Sequence, residues 1–161
     1  MLFLLFELDR DRYALNAADV VEVQALTAAK AIPGAPAWVA GVIERHGEPV
    51  PVIDLAQLAL GRPSLQWRST RLVLVRYRDA RERGGANTSS QLLGLIIERA
   101  TQTRRIERER FADSGIATPH ARWLGPVVSD ELGIIQWVDV QQMLDDDVKS
   151  LLFPQPESQT R

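Results

Sequence analysis

Cysteine is absent from the 161 residues, and histidine occurs only at His46 and His120. Disulfides, thiolate nucleophiles and cysteine-ligated zinc are thereby excluded, and at most two imidazoles remain for metal or proton-transfer chemistry. No apolar run approaches the roughly 18 residues of a membrane-spanning helix. The apolar stretch Leu2 to Phe6 is too short for a signal sequence, and Arg10 and Arg12 follow it rather than precede it. The expected compartment is therefore the cytoplasm. A net charge of -2 gives no general attraction to nucleic acid or anionic lipid. There is no Gly-x-Ser-x-Gly elbow, and Gly84-Gly85 lacks the lysine of a phosphate loop. No cofactor motif is present.

What the sequence has is 45% hydrophobic and 25% charged residues, an ordinary globular balance. A chain of this length can bury about 70% of the surface its unfolded form exposes, so it needs no covalent staple. The expected organisation is one domain over residues 1–153 made of two β-units, with a flexible tail from 154 to 161.

The stretch from Pro33 to Leu60 organises the rest. A proline-glycine corner leads to Trp38, a core anchor by its large apolar area. The strand Val39 to Ile43 follows, interrupted by Gly41, and glycine within a strand marks a bulge or a close backbone approach. A polar turn over Glu44 to Glu48 returns the chain along a strand with Pro49 and Pro51 at alternate positions. Their missing donors fit an edge, or a strand start before full pairing. Asp54 then caps a short helix with Leu55, Leu58 and Leu60 on one side, ended by Gly61 and Pro63.

Around this stretch, Phe3 to Leu8 and Tyr13 to Leu15 read as a hairpin, the first strand buried on both faces near its start. Asn16 and Asp19 suggest one helical turn before the strand Val20 to Val23, in which Glu22 is a carboxylate within a β-branched run. The clearest strand is Arg71 to Tyr77; its neighbour is Leu92 to Ile97, with a mobile loop from Arg78 to Gln91 between them. Glu98 to Arg110 reads as a solvated strand end and loop, the arginines offset by Glu107 and Glu109. Trp123 to Val128 and Leu132 to Val138 form a last hairpin, and Asp139 caps a final helix through Val140, Met143 and Leu144. Asp145 to Asp147 read as a solvated helix end rather than a metal site, because adjacent carboxylates on a helix diverge. Val52-Ile53-Asp54-Leu55 and Trp137-Val138-Asp139-Val140 share a plan, a strand ending in an aspartate-capped turn.

Few groups here could carry catalysis. A hydrolase using Asp54 or Asp139 with a histidine is the enzymatic alternative, although both aspartates are explained as caps. Nucleic-acid binding through Arg104 to Arg110 is a second alternative. An all-β fold with exposed edges and no catalytic or cofactor motif points instead to a protein that binds proteins.

At this point the chain resembles the CheW family, coupling proteins that join chemoreceptors to a histidine autokinase. The resemblance runs through the Phe6–Leu8 and Tyr13–Leu15 hairpin, Val20-Val21-Glu22-Val23, Pro33-Gly34-Ala35-Pro36, Val39-Ala40-Gly41-Val42-Ile43, Gly47 and Val50-Pro51-Val52-Ile53-Asp54-Leu55. It continues through Thr70 to Val75, Leu93-Gly94-Leu95-Ile96-Ile97 and Val138 to Leu144. It implies two intertwined five-stranded SH3-like barrels on a common core and a non-catalytic role. The implied partners are the cytoplasmic tip of a methyl-accepting receptor and the regulatory domain of a CheA-like kinase. By carry-over, Val20, Glu22 and His46 fall on the receptor side, and Gly41 and Ile43 on the kinase side. No metal, cofactor or nucleic acid is implied, and membrane association is indirect, through receptors. Glu44-Arg45-His46-Gly47 stands where the family usually reads Asn-Leu-Arg-Gly. Histidine thus occupies the arginine position, which implies a pathway other than the main chemotaxis one, such as surface sensing or second-messenger control. Strand alternation is expected to send Arg45 and His46 to opposite faces.

Overall fold

The structure, a computed structural model, describes residues 1–78, 91–100 and 102–154. The loop expected between Arg78 and Gln91 and the tail after Pro154 fall almost entirely outside the described residues. Among the described residues, ten strands form two five-stranded sheets. One contains β1 (Leu2–Leu8), β2 (Asp11–Asn16), β8 (Gln102–Arg105), β9 (Leu124–Asp130) and β10 (Gly133–Val138), in the order β8-β1-β2-β10-β9. The other contains β3 (Val20–Ala25), β4 (Val39–Arg45), β5 (Glu48–Asp54), β6 (Arg71–Tyr77) and β7 (Gln91–Ile97), in the order β3-β6-β7-β5-β4. The chain begins in the first sheet, builds the whole second sheet, and returns to complete the first.

The two sheets repeat one plan. Each holds a single parallel pair, β2 with β10 and β5 with β7, among antiparallel neighbours. Each curls until the segment beyond one edge strand reaches the opposite edge. Lys30 and Val42 exchange two backbone hydrogen bonds of 2.8 Å, as do Ala112 and Val127. Asp54 N–H donates to the Trp38 carbonyl at 2.8 Å, and Asp139 N–H to the Trp123 carbonyl at 2.7 Å. The shared plan of the two aspartate-capped turns is therefore a repeat of the fold.

Alternation along the strands explains the apolar runs. On β1, Leu4, Phe6 and Leu8 point into a core shared by both sheets, while Phe3 and Leu5 point into a smaller core with Ala14, Ile106, Val128 and Ile135. On β6, Val73, Val75 and Tyr77 enter the shared core, and Leu72 and Leu74 enter a second small core with Ile43, Val50 and Val52. A strand buried on both faces needs consecutive apolar residues, and both runs have that form. The first barrel's interior is aromatic, with Phe3, Phe111 and Trp137 in mutual ring contact at 5.0–5.2 Å. The second is aliphatic.

The helices are short. Asp54 caps α1 (Leu55–Leu60), accepting from Gln57 N–H, and Gly61 closes it with φ 73°. Leu55 is buried on the shared core and Leu58 packs against it, but Leu60 lies exposed rather than on the apolar side. Asn16 caps a 3-10 turn over Ala17–Asp19, as its residue type suggests. The helix expected after Asp139 divides in two. Asp139 caps only a 3-10 turn, Val140–Gln142. Asp145, extended at φ -77° and ψ 172°, then caps α2 (Asp146–Leu152) through Val148 N–H. The acidic triplet is thus the start of a helix whose Val148 and Phe153 seal the shared core, where Phe153 stacks on Tyr77. Pro49 and Pro51 are not on a lone edge. β4 pairs with β5 from Glu48 to Ile53, whereas β7 pairs with it at Val52, Ile53 and Asp54, so the prolines occupy the stretch before full pairing.

Candidate protein-binding surfaces

Gly41 shows how backbone geometry shapes the second barrel. Its φ of 141° suits glycine, β4 shifts register between Val39 and Gly41, and a Cβ there would stand 2.1 Å from the Lys30 carbonyl oxygen. Bulge and close approach are both present. The missing side chain lets the segment after β3 lie against β4 and close the barrel. Ile43, two residues on, is 6% exposed and belongs to the barrel's interior.

Closure also brings together residues from opposite edges of the sheet. The Arg45 Nε donates to Glu22 Oε2 at 3.2 Å, with both side chains partly open to solvent. Val20 is half-buried on the shared core at the start of the same strand. His46 and Gly47 form the tip of the β4–β5 hairpin with φ 50° and 79°, a two-residue turn of the kind whose positive angles match strand twist. His46 is exposed there. Glu22 and Arg45 therefore meet as a pair, with His46 in the turn just beyond.

Elsewhere the two capping aspartates are held by backbone and hydroxyl donors. Asp54 accepts from Gln57 N–H, Ser64 N–H and the Ser64 hydroxyl. Asp139 accepts from Gln141 N–H at 3.0 Å. His120 lines a cavity of about 470 Å³ with Trp38, Met143 and Lys149. Asp139 lines a different one of about 350 Å³ with Asp19 and Trp137. Neither cavity joins Asp54 or Asp139 to a histidine, which leaves the hydrolase alternative without a pair. Burial raises the Asp19 pKa, with the Asp139 charge adding to it.

The arginine-rich segment departs from a simple solvated loop. Ile106 is buried, and Arg104 donates to Asp130 at 2.6 Å alongside Arg12. Hydrogen bonds from these two guanidiniums hold the Asp130 carboxyl well below the usual range. Arg105, Arg108 and Arg110 remain exposed together with Glu107 and Glu109. No group of three metal-ligating side chains occurs among the described residues, nor is any helix there long and apolar enough to cross a membrane.

Glu98, grouped by sequence with the solvated segment, is instead 0% exposed. Its carboxylate accepts from Arg62 Nη1 at 2.8 Å, Arg62 Nη2 at 3.0 Å and Leu65 N–H at 2.8 Å, and Arg62 also donates to Asp9 at 2.8 Å. Burial pushes the Glu98 pKa up, but the Arg62 and Leu65 bonds outweigh it and leave the pKa lowered. This cluster pins the connector between α1 and β6 to the end of β7.

Two five-stranded sheets, each closed by its own backbone hydrogen bonds and joined on one shared core, define a mostly β module with short helices. The chain belongs to the CheW-like domain family, whose match spans residues 2–148. Its backbone is similar to the crystal structure of the scaffolding protein TtCheW from Thermoanaerobacter tengcongensis, with a TM-score of 0.72 and 20% identity, covering 86% of this chain and 84% of that one. No curated protein matches the sequence. The fold is the CheW-like one expected, mostly β with two five-stranded sheets. As a member of this family the chain is non-catalytic.

Proposed function

We propose that the chain couples a methyl-accepting chemoreceptor to a CheA-like histidine kinase within a cytoplasmic signalling array, as one unit over residues 1–153. The observation that carries this reading is the Glu22–Arg45 pair drawn together by barrel closure beside the His46–Gly47 turn. It forms a partly exposed, charge-ordered surface where the family resemblance puts receptor contacts. Val20, Glu22 and His46 make up the receptor side. On the kinase side, Gly41 and Ile43 act through the form they give β4, since both are buried. Histidine in place of the usual arginine supports an array serving an output other than swimming. Membrane association comes only through the receptor.

The test is binding of the full chain, by calorimetry, to a receptor cytoplasmic-tip fragment and separately to a kinase regulatory domain. Glu22→Lys is expected to weaken receptor binding about tenfold or more, because reversing a charge in an interface costs more than removing it. Kinase-domain binding stays unchanged. If the variant binds both partners as the parent does, the receptor-side assignment fails.

A further inference from the structure

Two turns that leave the first sheet meet at the end of β6 in the second. Ala17–Asp19 carries the chain from β2 to β3, and Val140–Gln142 follows β10. Arg76 Nη1 donates to the Ala18 carbonyl at 3.1 Å. The Gln141 side chain makes the second contact as a peptide group would. Its Oε1 accepts from Arg78 N–H and its Nε2 donates to the Arg76 carbonyl, both at 2.8 Å. Pairing between β3 and β6 ends at Val75, so beyond it Gln141 ties β6 to the first sheet.

The same two turns bring two carboxylates together. Asp139 accepts from Gln141 N–H at 3.0 Å and so holds the turn from which Gln141 reaches out. Asp19 is half-buried, yet among the described residues its carboxylate accepts no hydrogen bond and has no ion pair. Both line the cavity of about 350 Å³, together with the exposed Arg108 and Arg122 and the ring of Trp137. The charges that act on Asp19 are Asp139, which opposes its ionisation, and Arg78 and Arg76 on β6, which favour it. Burial does most to raise the Asp19 pKa, so the folded chain takes up this proton at a higher pH than the unfolded chain. The stability gained by that uptake is complete below the ordinary carboxylate range and is lost as pH rises through the folded value.

We infer that this junction is a proton-operated brace between the two barrels. With Asp19 charged, it and Asp139 repel across the cavity and push the two turns apart. With Asp19 protonated, the turns close and the Gln141 bonds to β6 tighten. The effect reaches β3, which starts at the next residue, Val20, and shifts register against β6 between Val20 and Glu22. A bulge of this kind re-aims the side chains beside it, so the brace sets the direction of Glu22. That last step rests on the proposed receptor side; the brace itself does not.

The test is NMR of the full, isotope-labelled chain by itself, followed from neutral pH into the acid range. The Asp19 carboxyl carbon is expected to titrate above the ordinary carboxylate range, and the amides of Arg78 and Val20 to shift with the same midpoint. Asp19→Asn keeps the shape without the charge. It should abolish those amide shifts and raise the exchange protection of Arg78 N–H severalfold at neutral pH. Gln141→Leu should lower that protection severalfold while the Asp19 titration persists. An Asp19 titration in the ordinary range, Arg78 and Val20 amides that do not follow it, or unchanged Arg78 protection in Asp19→Asn would each overturn the brace. Affinity for a receptor-tip fragment is expected to change with the same midpoint, and a constant affinity would refute the step to Glu22 alone. Absence of fragment binding at every pH would count against the receptor reading and not against the brace.

Discussion

Substituting Gly41 by alanine tests the geometry of barrel closure directly. The added Cβ would lie 2.1 Å from the Lys30 carbonyl oxygen and 2.6 Å from its carbon, so backbone has to move. The φ of 141° adds strain of about 1–3 kcal/mol for any residue with a side chain. Moving Lys30 away breaks the two hydrogen bonds it exchanges with Val42, worth about 0.5–1.5 kcal/mol each. The combined loss is roughly 2–6 kcal/mol, a large fraction of the stability of a domain this size. Gly47→Ala is the internal control: its φ is 79°, but nothing lies within 4 Å of its Cβ. It should cost about 1 kcal/mol, from strain alone. Urea unfolding of both variants measures the difference, and amide exchange at Lys30 and Val42 should accelerate in the Gly41 variant only. Equal stabilities for the two variants, or unchanged exchange at Lys30, would refute the closure argument.

Other perturbations test the remaining contacts. Glu98→Gln keeps the shape but removes the charge facing Arg62, and should cost about 2–3 kcal/mol, the Arg62 side being partly solvated. Because the Glu98 pKa is lowered on folding, its contribution is present above the ordinary carboxylate pKa and declines as pH falls toward the folded value. Unfolding measured across the acid range should therefore show a shallower pH dependence in the variant than in the parent. Glu22→Lys breaks a surface pair worth about 0–1 kcal/mol, so its melting temperature should barely move while receptor binding falls. Adding Arg45→Glu restores an inverted pair, and continued loss of receptor binding in the double variant would separate contact from folding. Asp145→Ala should destabilise the chain by about 1 kcal/mol through the lost cap of α2, read by thermal unfolding.

Much of this architecture could be read from local signals. The bulge at Gly41, the Asp54 cap and the two-sided burial of β1 and β6 each follow from a few neighbouring residues. The Glu98 site did not, because a carboxylate after an apolar strand reads as the start of a loop, and its partner Arg62 lies 36 residues away. The division of the last helix was hidden for a different reason. Asp139 and Asp145 are both cap-type residues, and only the backbone shows that Asp145 turns extended and begins a new helix. The Arg45–Glu22 pair depends on closure across the sheet, which alternation along one strand cannot reveal. Val20, Glu22 and His46 could be ordered along the chain, but their relation in space required the barrel.

The threading of the chain also sets an order of synthesis. Every strand of the second barrel lies between Val20 and Ile97, so that sheet can pair fully while the remainder is still being made. β1 and β2 emerge first, yet the sheet they belong to lacks its parallel neighbour until Gly133–Val138 arrives. Leu2–Leu8 must therefore wait with one face unmatched until β9 and β10 are made. Long-range pairing of this sort slows folding and exposes sticky edges. A nascent chain stalled after β7 should hold a closed second barrel with a loose N-terminal hairpin, and the last hairpin to appear locks the first one in place.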